Sequence, residues 1–265
     1  MKRLAKALTI AGSDSGAGAG IQADLKTFAA LGVYGTSVIT AITAQNTVEV
    51  TKIFELDPRL VAAQIDAVAE DIGAHAVKTG MLANSRIIQT VASKIREHDM
   101  KKLVVDPVMV AKSGDLLLRK EAIAALRARL IPLAAVVTPN IPEAEALTGM
   151  RIRTARDVEL AASRLVAMGA RSVVVKGGHR KGPAVDVLYD GRNFHQFSCR
   201  RIRTRHTHGT GCTFSAAIAA YLARGEKVHT AVARAKEFIT EAIRHGFAVG
   251  AGHSPTHHFH RFWRE

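Results

Sequence analysis

The sequence predicts an α/β fold in which a largely parallel sheet is covered by helices on both faces. Three observations predict it. The chain opens as strand, glycine-rich turn and helix; short apolar runs then alternate with stretches of helical spacing; and 265 residues with 48% hydrophobic content suffice for a substantial core. No break in composition divides the chain, so a single domain over residues 1–265 is expected.

Each element has a local reason. Residues 4–11 form an apolar run that ends at Gly12-Ser13-Asp14-Ser15-Gly16-Ala17-Gly18-Ala19-Gly20, after which Ile21, Leu25, Phe28 and Leu31 recur at helical spacing. Residues 38–44 and 48–54 read as strands on either side of Gln45-Asn46. Asp57-Pro58 then supplies an N-cap and a first-turn proline for a helix with the apolar stripe Val61, Ile65, Val68, Ile72. Further strands are predicted at 74–78, 103–106, 134–138 and 172–176, with helical segments between them, which is the βαβ rhythm of a parallel sheet. Residues 184–188 and 193–198, joined through Asp190-Gly191, read as a hairpin, and two helices close the chain.

Composition excludes several classes. The apolar stretch at 130–138 is interrupted by Pro132 and falls short of the ~20 residues that cross a bilayer. The basic start, Met1-Lys2-Arg3-Leu4-Ala5-Lys6, runs into Gly12-Ser13-Asp14 without a cleavage-type site, so secretion is not expected. Cys199 and Cys212 alone give no disulfide framework, which points to a reducing cytoplasm. A formal charge of +14 raises the question of nucleic acid, and Arg200-Arg201-Ile202-Arg203-Thr204-Arg205 is the densest basic patch. With 5% aromatic residues and no recognition-helix signature, the charge reads mainly as solvated surface that also attracts polyphosphates. A basic nucleic-acid-binding protein is kept as the alternative of a different class.

The richest segment chemically is Thr207-His208-Gly209-Thr210-Gly211-Cys212-Thr213, which runs into the helical pattern Phe214, Ala217, Ile218, Tyr221, Leu222. Gly209 and Gly211 leave the backbone bare, so the amides from Gly209 through Thr210 and Gly211 to Cys212 can converge on one anion at the positive end of that helix. Cys212 then sits where a reacting hydroxyl meets both a base and the amides that hold a transferred phosphoryl group, which suggests a kinase. The helix terminus is expected to favour its thiolate. Read alone, the same cysteine is a small buried hydrophobe.

Ligands of such sheets gather beyond the carboxyl ends of the strands. Those ends carry Gly12-Ser13-Asp14, Lys78-Thr79-Gly80-Met81, Asp106-Pro107-Val108-Met109, Thr138-Pro139-Asn140-Ile141-Pro142-Glu143 and Lys176-Gly177-Gly178-His179, expected to face one crevice. Asp106 and Glu143 are suited to a hydrated Mg²⁺ shared with phosphate oxygens, with Asn140 assisting, or else to capping a turn and starting a helix. Lys176 offers a mobile cation or a lysine snorkelling from a strand end, and Lys78 is read with the same two options. The Gln45 amide can bond a ring nitrogen and an exocyclic amine together, or merely end its strand. Asp24, one turn before Phe28, is expected at the surface. The glycines from Gly12 to Gly20 miss the dinucleotide register, leaving a tight turn and close substrate approach both open. The histidines at 253–260 are assigned no metal.

Eight ordered segments carry a resemblance: residues 7–27, 38–47, 78–82 (Lys-Thr-Gly-Met-Leu), 106–109 (Asp-Pro-Val-Met), 112–114 (Lys-Ser-Gly), 138–143, 176–179 and 207–213. Together they resemble the bacterial hydroxymethylpyrimidine/phosphomethylpyrimidine kinases of thiamine biosynthesis, in the ribokinase-like superfamily. The resemblance implies a three-layer α/β/α sandwich with a mostly parallel central sheet, a homodimer, ATP as co-substrate and Mg²⁺. It implies phosphorylation of 4-amino-5-hydroxymethyl-2-methylpyrimidine and then of its monophosphate. By the same resemblance Gln45 and Asp24 bind the aminopyrimidine, Gly12, Met81 and Val108 line its pocket, Asp106 and Glu143 organise Mg²⁺, and Asn140, Glu143 and Lys176 serve ATP. Most ribokinase-like relatives carry aspartate where this chain has Cys212, and the pyrimidine branch carries cysteine. Pyridoxal kinase is the neighbouring alternative.

Overall fold

The computed structural model describes residues 4–109, 120–178 and 182–263. Residues 112–114 and His179, part of the sequence resemblance, lie outside them. The strands are β1 (Lys6–Ala11), β2 (Tyr34–Ile39), β3 (Ala41–Gln45), β4 (Val50–Glu55), β5 (Ala76–Thr79), β6 (Leu103–Val105), β7 (Val136–Val137), β8 (Val173–Val175), β9 (Ala184–Tyr189) and β10 (Phe194–Cys199). The helices are α1 (Gly20–Ala30), α2 (Pro58–Ala67), α3 (Ser85–Glu97), α4 (Lys120–Ala125), α5 (Ile141–Thr148), α6 (Ala155–Ala167), α7 (Thr210–Ala223) and α8 (Val228–Arg244). An eight-stranded sheet runs in the order β10-β9-β8-β7-β6-β5-β1-β2, while β3 and β4 form a separate antiparallel pair. The strands from β8 through β2 pair in parallel, and β9 and β10 add the antiparallel hairpin at one edge.

Strand side chains alternate between two helical layers, as the pleat requires. Leu8, Ile10, Leu103, Val105, Val137, Val173 and Val175 pack with the apolar faces of α2, α3, α5 and α6. Ala7, Val104, Val136 and Val174 point the other way, into Phe28 of α1 and the buried residues of α7 and α8. The three-layer α/β/α sandwich follows from this alternation, because short Val-rich strands buried on both faces need a helix layer on each. Helix α7 is almost wholly buried between the sheet and its neighbours. Its N-terminus is thereby fixed at the carboxyl ends of the central strands.

One expectation is corrected. Residues 38–44 are not one strand: β2 begins at Tyr34 in the main sheet, and after Thr40 the chain crosses into the separate β3–β4 pair. Thr40 makes the break, its N–H donating to the Ala11 carbonyl at 3.0 Å and its hydroxyl to the Met81 carbonyl at 2.7 Å. The half-exposed β2 edge, with Gly35, Thr36 and Ser37, carries little apolar alternation to betray it. The α2 stripe is buried at Val61 and Ile65, but Val68 and Ile72 fall in a wider final turn and are only partly covered.

Phe28 has no exposure and ties α1 to α7. Phe28→Ala is expected to lower unfolding free energy by ~3–5 kcal/mol, measured as a shift of the urea midpoint at constant slope.

Candidate active site

Helix α7 is capped by Gly209, whose φ of 72° is left-handed. A Cβ there would stand 1.7 Å from the Gly18 carbonyl oxygen, so the two glycine segments approach at a distance that admits no side chain. The Thr213 N–H closes the first turn onto the Gly209 carbonyl at 2.8 Å. Of the amides ahead of that bond, Thr210 N–H donates to the Thr207 carbonyl at 3.3 Å, whereas those of Gly211 and Cys212 have no acceptor within the helix and form the heart of a natural anion cradle. A Cβ on Gly211 would lie 3.3 Å from Lys176 Nζ and 3.9 Å from Asp106 Oδ2, so the cradle opens beside a lysine and a carboxylate delivered by β8 and β6.

These charges form a connected group. Lys176 Nζ donates to Asp106 Oδ1 at 3.0 Å and lies 3.9 Å from Glu143 Oε2. Burial alone would lower the Lys176 ammonium, but Asp106 and Glu143 outweigh it and hold the charge in place. Glu143 is pushed up to about 7, chiefly by burial, with Lys176 pulling down and Asp106 pushing up. Asn140 and Glu143 also form a capping box at the start of α5: Asn140 Oδ1 accepts the Glu143 N–H at 2.9 Å and Glu143 Oε2 the Asn140 N–H at 2.7 Å. Asp106 Oδ2 is buried and accepts no hydrogen bond. A buried carboxylate oxygen without a donor is costly unless a cation or a ligand meets it. Lys176 is therefore an anchored cation, not a mobile one.

Across the crevice the Gly12–Gly20 segment is organised by Asp14. Its carboxylate accepts the amides of Gly16 at 2.8 Å, Gly18 at 3.1 Å and Ala19 at 2.8 Å, and His208 Nε2 at 2.8 Å. Burial works to raise this carboxyl, but His208 and those amides overcome it and hold Asp14 below its usual range. Gln45 ends β3, its side chain between Thr43 and His208. Gly12 meets Met81 here, its N–H donating to the Met81 carbonyl at 3.1 Å, and Val108 packs on the small cluster of Ala41, Met81 and Ala83.

Two expectations are overturned. Asp24 is not at the surface: it is fully buried, with both carboxylate oxygens on Lys78 Nζ at 2.8 and 3.0 Å and one also on the Thr9 hydroxyl at 2.6 Å. Neither Asp24 nor Lys78 exposes side chain, so neither touches a ligand in this arrangement. Burial would lower Lys78, yet the Asp24 carboxylate raises it and keeps the ammonium charged. Nor does the helix terminus favour a Cys212 thiolate. Burial pushes the thiol up to about 11, with Asp24 and Asp106 adding to it and Lys78 and the Gly20 amide opposing. At pH 7 a thiol at about 11 leaves only ~10⁻⁴ as thiolate.

Asp14, His208 and the pairing of Lys78 with Asp24 are the site features to which the sequence motifs give no role. Asp14 and His208 both stood inside quoted motifs, and an aspartate in a glycine-rich loop is itself a signal for a side chain that collects backbone amides. The terminal histidines do not converge on the crevice: His258 is buried against the Thr213 hydroxyl at 2.9 Å, and burial lowers it to about 3. A hollow of about 340 Å³ bordered by His75, His98 and Lys102 opens at the opposite, amino-terminal ends of β5 and β6.

The sequence pattern of the phosphomethylpyrimidine kinase family matches residues 14–257. The chain belongs to that family. The hydroxymethylpyrimidine/phosphomethylpyrimidine kinase of Bacillus subtilis is 52% identical over 256 residues, covering 96% of this chain and 94% of that one. The thiamine biosynthesis bifunctional protein ThiED of Geobacter sulfurreducens is 54% identical over 252 residues, 95% of this chain and 51% of that longer one. Among solved structures, an ADP complex of Bacillus subtilis pyridoxal kinase superposes with a TM-score of 0.90 at 45% identity, covering 97% of this chain and 98% of that one. As a phosphomethylpyrimidine kinase family member the chain has the ribokinase-like fold of these relatives.

Two outcomes follow from the geometry. Gly209→Ala adds left-handed strain of ~1–3 kcal/mol and a clash with Gly18, so it is expected to lower the melting temperature and abolish most turnover. In a Cys199→Ser background, iodoacetamide labelling of Cys212 is expected to rise about tenfold per pH unit from pH 7 to 9.5, because the reactive thiolate grows that steeply below its pKa. A rate that levels off near pH 8.5 contradicts the raised thiol.

Proposed function

We propose that this chain is an ATP-dependent kinase that phosphorylates the hydroxymethyl group of 4-amino-5-hydroxymethyl-2-methylpyrimidine and then the resulting monophosphate, giving the diphosphate used to build thiamine. The observation that carries the reading is the bare Gly211 turn, where an added Cβ would stand 3.3 Å from Lys176 Nζ and 3.9 Å from Asp106 Oδ2, so that amides, a cation and a metal-type carboxylate surround one phosphoryl-sized space. Its family membership supplies the class of alcohol. One domain performs both steps.

The roles follow from the placements. The amides from Gly209 to Cys212, with Thr210 and Gly211 between them, hold the transferred group, and Lys176 and Asn140 reach the phosphates of ATP. Gln45 binds the aminopyrimidine edge, against a wall of Gly12, Met81 and Val108. Asp24 supports the floor through Lys78 and does not touch the ring. Asp106, with its unsatisfied Oδ2, and Glu143 fit a hydrated Mg²⁺, which when bound neutralises phosphate charge. The hydroxymethyl oxygen attacks the γ-phosphorus, the bond from that phosphorus to the ADP oxygen breaks, and the hydroxyl proton passes to the thiolate form of Cys212. Phosphoryl transfer proceeds through a loose transition state that needs little early proton removal, so alignment and charge neutralisation contribute most.

The exposed apolar side chains Ile42, Ile53 and Phe54 on β3 and β4, with Leu60 on α2, support a homodimer. Among the described residues no helix is long and apolar enough to cross a membrane, which fits the proposed cytoplasmic location. Arg201 donates to the carbonyls of Gly178 and Gly182, so the basic patch is partly spent on its own loop and does not favour nucleic acid. Pyridoxal phosphorylation is the second reading, favoured by the likeness to pyridoxal kinase.

ADP release coupled to a dehydrogenase, run in parallel on the aminopyrimidine alcohol, its monophosphate and pyridoxal, is expected to give the first two as the better substrates; turnover of pyridoxal alone overturns the assignment. Because kcat/KM reports the free enzyme, its value for the aminopyrimidine alcohol is expected to climb with pH between 7 and 9.5 toward the thiol at about 11. Cys212→Ala is expected to flatten that profile and lower kcat by ~10²–10⁴. Near-full turnover by this variant rejects the base role and leaves the kinase assignment standing.

A further inference from the structure

Asp186, on β9, is a buried carboxylate to which the reaction described above gives no part. Its two oxygens have separate partners: Oδ1 accepts the Gly177 N–H at 2.9 Å, and Oδ2 accepts from Lys236 Nζ of α8 at 2.7 Å. Lys236 Nζ also donates to the Ala184 carbonyl at 3.1 Å, so two acceptors hold the ammonium against β9. The pair thereby ties α8 and β9 to the residue that follows Lys176.

We propose that Asp186, neutralised by Lys236, is a positioning residue for the nucleotide phosphates: it holds the Gly177 peptide and with it the direction in which Lys176 enters the crevice. The inference rests on the nucleotide role proposed above for Lys176 and deepens it.

The chain leaves the sheet here under tight constraint. The ladder between β8 and β9 runs through Val175 and Val187, and two residues on the Gly177 N–H goes to a side chain. Lys176 is held on its other flank, its N–H donating to the Pro139 carbonyl at 2.8 Å and its backbone bridging to Asn140. Gly177 is pressed onto β9, where a Cβ would stand 1.8 Å from the Val185 carbonyl oxygen, whereas a Cβ on Gly178 would meet nothing within 4 Å. The clamp therefore closes at Gly177 and open space begins one residue later.

A lysine ammonium rides on a long flexible stem, so its place is fixed only when both its head and its backbone are held. Asp106 and Glu143 hold the head, while Pro139 and Asp186 hold the backbone on the two sides of the Lys176 Cα. Without an acceptor, the buried Gly177 N–H is left unpaired, and the peptide turns to find a partner elsewhere. The ammonium stands 3.3 Å from where a Gly211 Cβ would lie, a fit that leaves little tolerance for such a turn. Lys236 makes a carboxylate usable in this place. An uncompensated negative charge one residue from the lysine that meets a triphosphate would repel it, and the Lys236 ammonium cancels that charge.

The test separates the acceptor from the ion pair. In a Lys236→Met background, Asp186→Asn keeps a carbonyl oxygen for the Gly177 N–H and Asp186→Leu removes it at similar volume, and neither leaves a buried charge. The Kd for ADP by calorimetry, the KM for ATP and the KM for the aminopyrimidine alcohol are measured beside melting temperatures. The leucine version is expected to raise the ADP Kd and the ATP KM by ~10-fold over the asparagine version, with the alcohol KM changed less than about threefold. A merely structural role moves both KM values together and does not give this split. Where the leucine version fails to fold, Asp186→Ser in the same background, whose side chain is one bond shorter and does not reach Gly177, is expected to give the same increase. Equal ATP KM values with and without the acceptor, or equal increases for ATP and the alcohol, overturn the proposal. Wild-type protein that binds no ADP overturns the nucleotide role of Lys176 and this inference with it, whereas wild type and variants that bind ADP equally overturn the inference alone.

Discussion

The Asp14 carboxylate is the interaction on which the arrangement of the crevice depends. It gathers three amides of its own loop and the imidazole of His208, and so binds the turn after β1 to the turn before α7. Those two turns are 194 residues apart in the chain at the His208–Asp14 bond. Their backbones touch where Gly209 meets the Gly18 carbonyl, a contact that neither hydrophobic packing nor sheet pairing enforces. A carboxylate that accepts four donors recovers in hydrogen bonds what it loses in hydration, which is why it stays ionised in a buried place. Neutralising it leaves several amides and an imidazole without an acceptor, and the cost falls on the position of the anion cradle before it falls on the core.

Around that joint the buried charges form two groups with different consequences. Lys78 and Asp24 satisfy one another and Thr9 completely, and nothing in that pair faces outward. Such a pair contributes little net stability over an apolar equivalent, and being neutral as a unit it adds no net charge beneath the site. Lys176, Asp106 and Glu143 are incompletely satisfied: one Asp106 oxygen has no donor, and Glu143 is close to titrating near neutrality. Incomplete pairing is what a polyphosphate and its cation would complete. The site thus separates a closed electrostatic foundation from an open one that awaits ligand.

Much of this was legible in the sequence. Strand, glycine turn and helix gave the entry to the sheet, Asp57-Pro58 gave the start of α2, and Asp190-Gly191 gave the β9–β10 hairpin, because each is fixed by neighbours a few residues away. The motifs after the strands also indicated which polar residues meet, since the parallel topology brings successive carboxyl ends to one side. What failed depends on distant partners. Thr40 breaks its strand through the Ala11 and Met81 carbonyls, and Asp24 is drawn inward by a lysine 54 residues away. No local pattern encodes either contact. The activation expected for Cys212 failed for a related reason: a helix terminus favours a thiolate, but burial is the larger effect and is set by what packs around the turn.

That last balance bears on the chemistry. In place of the carboxylate that the sequence resemblance implies for most ribokinase-like relatives, a thiol raised to about 11 contributes no negative charge to a crevice that already holds Asp106 and Glu143. A polyphosphate approaching such a site meets one repulsive group fewer, while Lys176 and the helix amides keep their attraction. The exchange sacrifices the ready base that a carboxylate supplies. In the proposed reaction it is tolerable because the loose transition state of phosphoryl transfer draws little on early deprotonation, so a scarce but strongly basic thiolate would take the proton late. Sulfur also presents an apolar, polarisable surface, which suits a flat heterocycle better than an ionised oxygen does. Cysteine at this position therefore trades proton affinity at neutral pH for easier approach of two successive phosphorylated species, the nucleotide and, in the second step, a substrate that is already a monophosphate.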